Sequence, residues 1–525
     1  MSAKRSLIGL IILLLVLLLD SFASAQEEKI LVVGHAELTD SLDPARAFST
    51  TAFIVHKATY QTLVTFPQGA TDSIAPLLAT SWEANEDGTV YTFTLRDDAT
   101  FVNGDPVKAS DVVFSFNRVI NIKDNPAFLA DTIQSVEAPD DSTVVLTLTQ
   151  PDPTILSRLV NTTFSVVSEA IVREQGGADD ADAATTDTAE EWLNANSAGS
   201  GPYILELWED DVQTVLSRNP NYYGEPPYFD RIIIQNLPEA ASQVLALRAG
   251  DIDLALDLTP DQAASLEGDE AIGVYRSPTT NLHFLMFNQN AEISGPLADP
   301  KVQQAIRYAL DYPSYTAIWG GVTPPSILPQ GFLGAYPLDK ALTRDLDQAR
   351  ALLAEAGYAD GFETTLSYPN WTFAGVIWEV NAQRIQADLA EVGIQVSLNP
   401  QDISIGLEEY RAGQQAFGYW FWHPDYLDPG NQLVFLPGQT LGNRANWTDE
   451  NADPVIIELR DQALVETRPE ERARLFEAIQ DYLQQNGPWA PFLQNGIQVA
   501  HRADIQGEVY HPQWILDVTQ LSRAE

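Results

Sequence analysis

The chain is 525 residues long, 45% hydrophobic and 10% aromatic, and carries 73 acidic against 29 basic side chains for a formal charge of -44. That length calls for at least two lobes, and so apolar a composition excludes an intrinsically disordered chain. The acidity argues against attraction to nucleic acid or anionic lipid, and the absence of cysteine excludes disulfides, thiol catalysis and a lipidated N-terminal Cys.

Lys4 and Arg5 precede an apolar run from Leu7 to Leu19, and Ala23-Ser24-Ala25 follows. This is the pattern of a secretory signal peptide over 1–25, with a mature chain starting at Gln26. The apolar run is short for a membrane span of about 20 residues. A soluble protein outside the cytoplasm, periplasmic or at the extracellular face, is expected.

KILVVGHAEL alternates like a strand and SLDPARAFS ends it with Asp-Pro turn chemistry; a helix is predicted over 51–63. Asp87-Gly88 sits between SWEA and VYTFTLR as a hairpin signal, and VVLTLTQPDP is a further strand, so 70–190 reads as rich in antiparallel strands. GGADDADAATTDTAEE, 176–191, reads as an acidic surface loop entering a helix near Glu190.

From 199 onward strand and helix signals alternate, which favours α/β architecture. Strands are predicted over 231–235, near 252–256, from NLHFLMFNQ, and over 363–368 and 394–398. Helices are predicted over 240–249, 301–310, 346–355 and 376–392, the last two stopped by Gly357 and Gly393.

Catalytic signatures are lacking: none of the six His residues stands at i, i+4 from another, and HExxH, GxSxG, GxGxxG and the Walker P-loop are all absent. No metal site and no cofactor is expected. A glycosidase needs only two carboxylates beside an aromatic cleft, but no motif points to one.

One stretch stands out. FWHPDYLDPG, 421–430, puts Asp425 and Asp428 among Phe421, Trp422, His423 and Tyr426. Acids in an aromatic segment either turn the chain at the surface or wait for a cation that arrives with a ligand. For Asp428, next to Pro429, the turn is the favoured reading.

Several blocks in order resemble the extracytoplasmic solute-binding proteins of ABC importers, in the dipeptide- and oligopeptide-binding group, solute-binding protein family 5. They are SLDPA, LATSWEANEDGTVYTFTLRDDATFVNGDPVKASDVVFSF, GSGPYIL, RNPNYYGEPPYFDRI, LRAGDIDLAL, ADPKVQQAIRYALD, DQARALLAEAGY and IQADLAEVGIQV. The resemblance implies an α/β fold of two lobes joined by two hinge strands, with an extra subdomain inserted in the first lobe. Lobe 1 would take 26–69, 191–280 and 490–525, the insertion 70–190, and lobe 2 281–489. Hinges would fall near Thr280 and over 489–494.

The resemblance also implies a non-enzymatic receptor that closes on a short peptide and delivers it to an ABC permease driven by a separate ATPase. By the same carry-over, Asp425 would pair with the peptide's terminal ammonium beside Trp422. The peptide main chain would add along Phe48, Ser49 and Thr50 on one side and Phe421, Trp422 and His423 on the other, with Tyr426 and Trp371 close by. A monomer is expected, meeting the membrane only through its permease. The same scaffold binds nickel complexes, haem or oligosaccharides in other members; Arg384 and Arg444 are candidates for the ligand's far end by composition only.

Overall fold

The KILVVGH run forms strand Ile30–His35, which buries Leu31 and Val33 completely and pairs in parallel with Arg231–Asn236 and with Leu254–Ala255. These strands belong to a ten-stranded sheet that carries most of the molecule. The computed structural model describes residues 28–36, 39–373 and 376–524, so the signal-peptide reading of 1–25 lies outside the described residues.

Across the sheet the strands run Ile394–Gln401, Phe362–Pro369, Phe417–Trp422, Ile272–Phe287, Trp489–Arg502, Leu254–Ala255, Ile30–His35, Arg231–Asn236, Gln213–Arg218 and Tyr203–Glu209. Two central strands, Ile272–Phe287 and Trp489–Arg502, are far longer than the rest and pair with each other antiparallel. Their outer ends, around Ile272 and Arg502, lie in lobe 1; their inner ends, Leu282 to Phe287 and Trp489 to Gln494, lie in lobe 2. The fold is therefore α/β with two lobes sharing a pair of strands.

Each lobe covers both faces of its half-sheet. In lobe 1, helix Ala240–Ala249 packs Val244 and Leu247 on one face, while helix Thr50–Thr59 presses Ala52, Ile54, Val55 and Ala58 onto the other. In lobe 2, helix Pro300–Ala309 sets Val302, Ala305 and Ile306 against Leu285 and Phe287. The alternate residues Phe284 and Met286 face Trp489 and Phe435 on the opposite side, as strand alternation requires.

The insertion is a four-stranded antiparallel sheet, ordered Ala79–Ala84, Val90–Leu95, Thr143–Leu148, Ile133–Asp140, with helix Ala109–Ile122 packed on it. A buried ionic cluster ties it to lobe 1. Arg118 of that helix sends Nη1 and Nη2 to Asp43 at 3.0 and 2.8 Å, and Nε to Asp187 at 2.9 Å, with all three side chains closed to solvent. Burial works against the guanidinium's charge, but the two carboxylates hold it protonated above its usual range. SLDPA is thus the receptor for an arginine from the insertion. The acidic segment 176–191 is correspondingly more than a surface loop, because Asp187 serves as the second anion of this cluster.

Where the shared strands cross between lobes their pairing shifts between Pro278 and Leu282. A bulge there bends the ribbon. Gln494, fully buried, donates Nε2 to the Thr279 carbonyl at 2.5 Å, and its own backbone exchanges two hydrogen bonds of 2.9 Å with Val322. The approach of that third segment depends on Gly321, whose φ is +81° and where an added Cβ would sit 2.1 Å from the Gln494 carbonyl oxygen. A left-handed backbone alone costs an alanine about 1–2 kcal/mol. Gly321→Ala is therefore expected to lower stability by at least about 2 kcal/mol, once the clash at the hinge is added, as a drop in melting temperature. An unchanged melt would mean that the 320–322 segment does not brace the hinge.

Candidate functional site

The segment FWHPDYLDPG leaves strand Phe417–Trp422 beside the hinge, where Leu282 stands opposite Trp422 and His283 opposite Phe421. Burial pushes the His423 pKa down to about 4, so the ring is neutral at pH 7 and donates Nδ1–H to Asn281 Oδ1 at 2.6 Å. His423 is a tie between the predicted site and the bulge of the hinge.

Asp425 differs from the acids around it. No ion pair with Lys, Arg or His is formed by its carboxylate among the described residues; Oδ2 accepts a single long bond from Asn431 Nδ2, 3.3 Å. Burial pushes its pKa up to about 6, and the Asn431 bond and the more distant Arg158 charge offset this only in part. Asn431 Oδ1 in turn accepts Trp422 Nε1–H at 2.8 Å, so one amide sets both the indole and the carboxylate.

Segments distant in sequence meet at this residue. The Asp425 carbonyl accepts from Asn161 Nδ2, in the insertion, at 2.9 Å and from Gln513 Nε2, in lobe 1, at 3.4 Å. Arg158 lies 5.0 Å over the Tyr426 ring, which places Tyr426 in packing beneath a cation with only 6% of its surface exposed. Asp428 caps the following turn, accepting Gly430 N–H at 2.7 Å, and pairs with Arg472. Two acids three residues apart thus have opposite electrostatics, one paired and one not.

Aromatic rings line the hinge side of the site. Trp371, 38% exposed, packs 5.8 Å from Phe421 and 5.9 Å from Trp378, and Trp378 stacks on Tyr419 at 4.6 Å. Trp420 faces the other way, stacked on Tyr410 in the core.

On the lobe 1 side, Phe48 packs edge-on to Phe53 and Phe128 and joins the same apolar cluster as Trp422. Ser49 is the N-cap of helix Thr50–Thr59, so the expected extended edge over 48–50 is cut short by the helix start. The Phe48 N–H already donates to Asp40, and the Ser49 carbonyl accepts the Phe53 N–H. Thr50 has its hydroxyl 3.2 Å from His35 Nε2, whose Nδ1 lies 2.8 Å from Asp257.

Of the two arginines suggested for the far end, one is already committed to carboxylates and the other packs on a ring. Arg384 is ion-paired with Asp311 and Asp388 at 2.7 Å each, and Arg444 lies over the Tyr410 ring. Sequence reasoning missed Asn161, Asn281, Asn431 and Gln513, amides in unremarkable contexts. Among the described residues no group of three or more His, Cys, Asp or Glu is placed to hold a metal ion, and no helix is long and apolar enough to cross a membrane.

Two lobes sharing a pair of long central strands are the architecture of the two-lobe solute-binding proteins. This chain belongs to the bacterial extracellular solute-binding proteins of family 5, whose model matches residues 73–443. It is 29% identical over 510 residues to the "Probable D,D-dipeptide-binding periplasmic protein DdpA" of Escherichia coli K12, covering 93% of each chain. It is 30% identical over 469 residues to Heme-binding protein A of Haemophilus influenzae, covering 82% of this chain and 81% of that one. Among solved structures, HbpA2 from Haemophilus parasuis matches with a TM-score of 0.81 at 27% identity, covering 94% of this chain and 100% of that one. The periplasmic binding protein DppA from Helicobacter pylori, in complex with peptide STSA, shares the fold with a TM-score of 0.75 at 24% identity, over 95% and 99% of the chains.

The Asn431 amide stabilises the ionised form of Asp425. Asn431→Ala should therefore raise the Asp425 pKa above its value of about 6, visible as a shifted carboxyl titration by NMR. A titration indistinguishable from that of the intact protein would show that the amide does not govern the acid.

Proposed function

We propose that the cleft binds a short peptide, with Asp425 taking the terminal ammonium and Trp422 lying alongside, and that the protein delivers it to an ABC permease powered by a separate ATPase. The observation that carries this reading is the unpaired, largely buried carboxylate of Asp425 at the point where the two lobes meet. An ammonium arriving with the ligand supplies the missing counter-ion, and lobe closure withdraws the pair from water. Relatives support the choice of ligand: a di/tripeptide-binding protein of Pseudomonas aeruginosa and glutathione-binding proteins of Escherichia coli and Shigella align over nearly the whole chain.

In this reading the peptide main chain runs along Phe421, Trp422 and His423, with Phe48, Ser49 and Thr50 facing it from lobe 1 and Trp371 closing the hinge side. The protein works as a monomer beyond the cytoplasmic membrane, without catalysis, and lobe 2 spans 281–489. A sugar ligand is the second reading, favoured by the exposed Trp371 beside Phe421.

Two outcomes are expected for Asp425→Asn. The pKa of the free protein's acid, about 6, exceeds the unfolded value near 3.9, so its contribution to stability is present at low pH and is lost as pH rises through 6. Because part of the carboxylate still meets water, the loss is on the order of 2 kcal/mol, and the ligand-free variant should melt higher than the parent at pH 7.5 but not at pH 3.5. Di- to pentapeptides at 100 times their dissociation constant should stabilise the parent by about 2.7 kcal/mol and leave the variant unmoved. For the parent, peptide affinity should fall as pH drops below about 6, where the anchor takes up a proton. Sugars stabilising both proteins while peptides stabilise neither would replace the peptide reading with the saccharide one.

A further inference from the structure

Away from the cleft, lobe 1 and the insertion enclose a cavity of about 310 Å³. Small-molecule sites begin near this size, at about 300 Å³. Its wall is drawn from 56–68, 77, 160–165, 202, 222 and 508–520, so no lobe 2 residue takes part. It backs onto the functional site: Val160 and Thr162 line it while Asn161 between them holds the Asp425 carbonyl, and Trp514 lines it while Gln513 does the same.

The polar groups around it are incompletely satisfied. His56 Nδ1, Thr162 Oγ1 and Trp514 Nε1 are buried without hydrogen-bond partners. Burial keeps His56 neutral, with a pKa near 4, and its Nε2 lies 3.1 Å from the Leu42 carbonyl, which leaves Nδ1 as an acceptor; the indole N–H can only donate. Lys57 spends one of its three donors on Thr65 Oγ1 at 3.0 Å and sits 3.9 Å from Asp517, too far for a hydrogen bond. Burial lowers its pKa. Among the described residues Glu508 accepts the Gly69 N–H alone, at 3.1 Å, and burial together with Asp517 raises its pKa. Lys57, ion-paired with Asp517 and lying 4.0 Å over the Trp514 ring with two donors to spare, thus shares one cavity with the part-exposed Glu508 and with Phe66 and Tyr222.

We infer that this cavity is a second small-molecule site, which takes a free zwitterionic amino acid: its carboxylate toward Lys57 and the Trp514 N–H, its ammonium toward Glu508 and His56 Nδ1, its side chain among the aromatic rings. Such an occupant takes up the spare donors of Lys57, gives Glu508 a cation and satisfies two of the three orphan polar atoms, His56 Nδ1 and Trp514 Nε1. The site stands independently of the peptide reading, because Asp425 is not among its residues.

The test is calorimetric titration of L-leucine into the Asp425→Ala protein, in which the cleft anchor is gone. Saturable binding with one site per chain is expected, weakened at least tenfold by adding Lys57→Met and, separately, Glu508→Gln. Glu508 is half-exposed at the cavity's edge, so its variant probes the site even where Lys57→Met fails to fold. Wild-type crystals soaked in L-leucine should show the amino acid beside Lys57. No saturable heat in Asp425→Ala, heat indifferent to both changes, or ligand density confined to the cleft would each overturn the proposal.

Discussion

Two strands belong to both lobes at once, and everything else in the molecule is arranged around that fact. Ile272–Phe287 and Trp489–Arg502 pair along most of their length, so each lobe is built on one end of the same ribbon. A bulge bends a two-stranded ribbon, and this pairing shifts register between Pro278 and Leu282 and again between His283 and Phe284. The amide of Gln494 and the close passage of Gly321 keep that bend from becoming a flexible joint.

Electrostatics sorts the acids of the interior into two kinds. Asp43, Asp187 and Asp428 are buried with arginine partners already in place, and their role is to join segments distant in sequence. Such pairs contribute mainly by being costly to break. Asp425 is less deeply placed, and among the described residues the Asn431 amide is the one side chain that hydrogen-bonds its carboxylate, so burial without a paired cation raises its pKa. A protein that is to bind and release a cationic group needs an acid of this second kind, because a carboxylate with a resident arginine would give the ligand no advantage. The position of Asn431, which holds Trp422 and Asp425 together, keeps this acid poised without neutralising it.

Periodicity in the chain was enough to draw the elements. Helices Ala240–Ala249 and Leu346–Glu355 and the strands around 231–236, 362–369 and 394–401 lie where their apolar spacing and glycine stops put them, because those signals are local. Helix Ala109–Ile122 was not drawn from the sequence: it lies in a stretch otherwise dominated by alternating strands. The start of helix Thr50–Thr59, one residue earlier than its pattern suggests, is set by the Ser49 cap.

By itself the sequence determined the α/β class, the family through the order of its blocks, and FWHPDYLDPG as the place to look, since an acid among aromatics conflicts with local expectation in any fold. It did not determine which acid is unpaired. Asp425 and Asp428 are separated by three residues and look alike in the chain; the arrival of Arg472 from a distant helix makes one a structural anion, while among the described residues no such partner reaches the other. The same holds for Asp187, read as surface until Arg118 is seen to bury it, and for Asn161 and Gln513, whose side chains reach the Asp425 carbonyl from far along the chain. Partners hundreds of residues apart leave no periodic trace, because pairing depends on where the completed fold puts each charge.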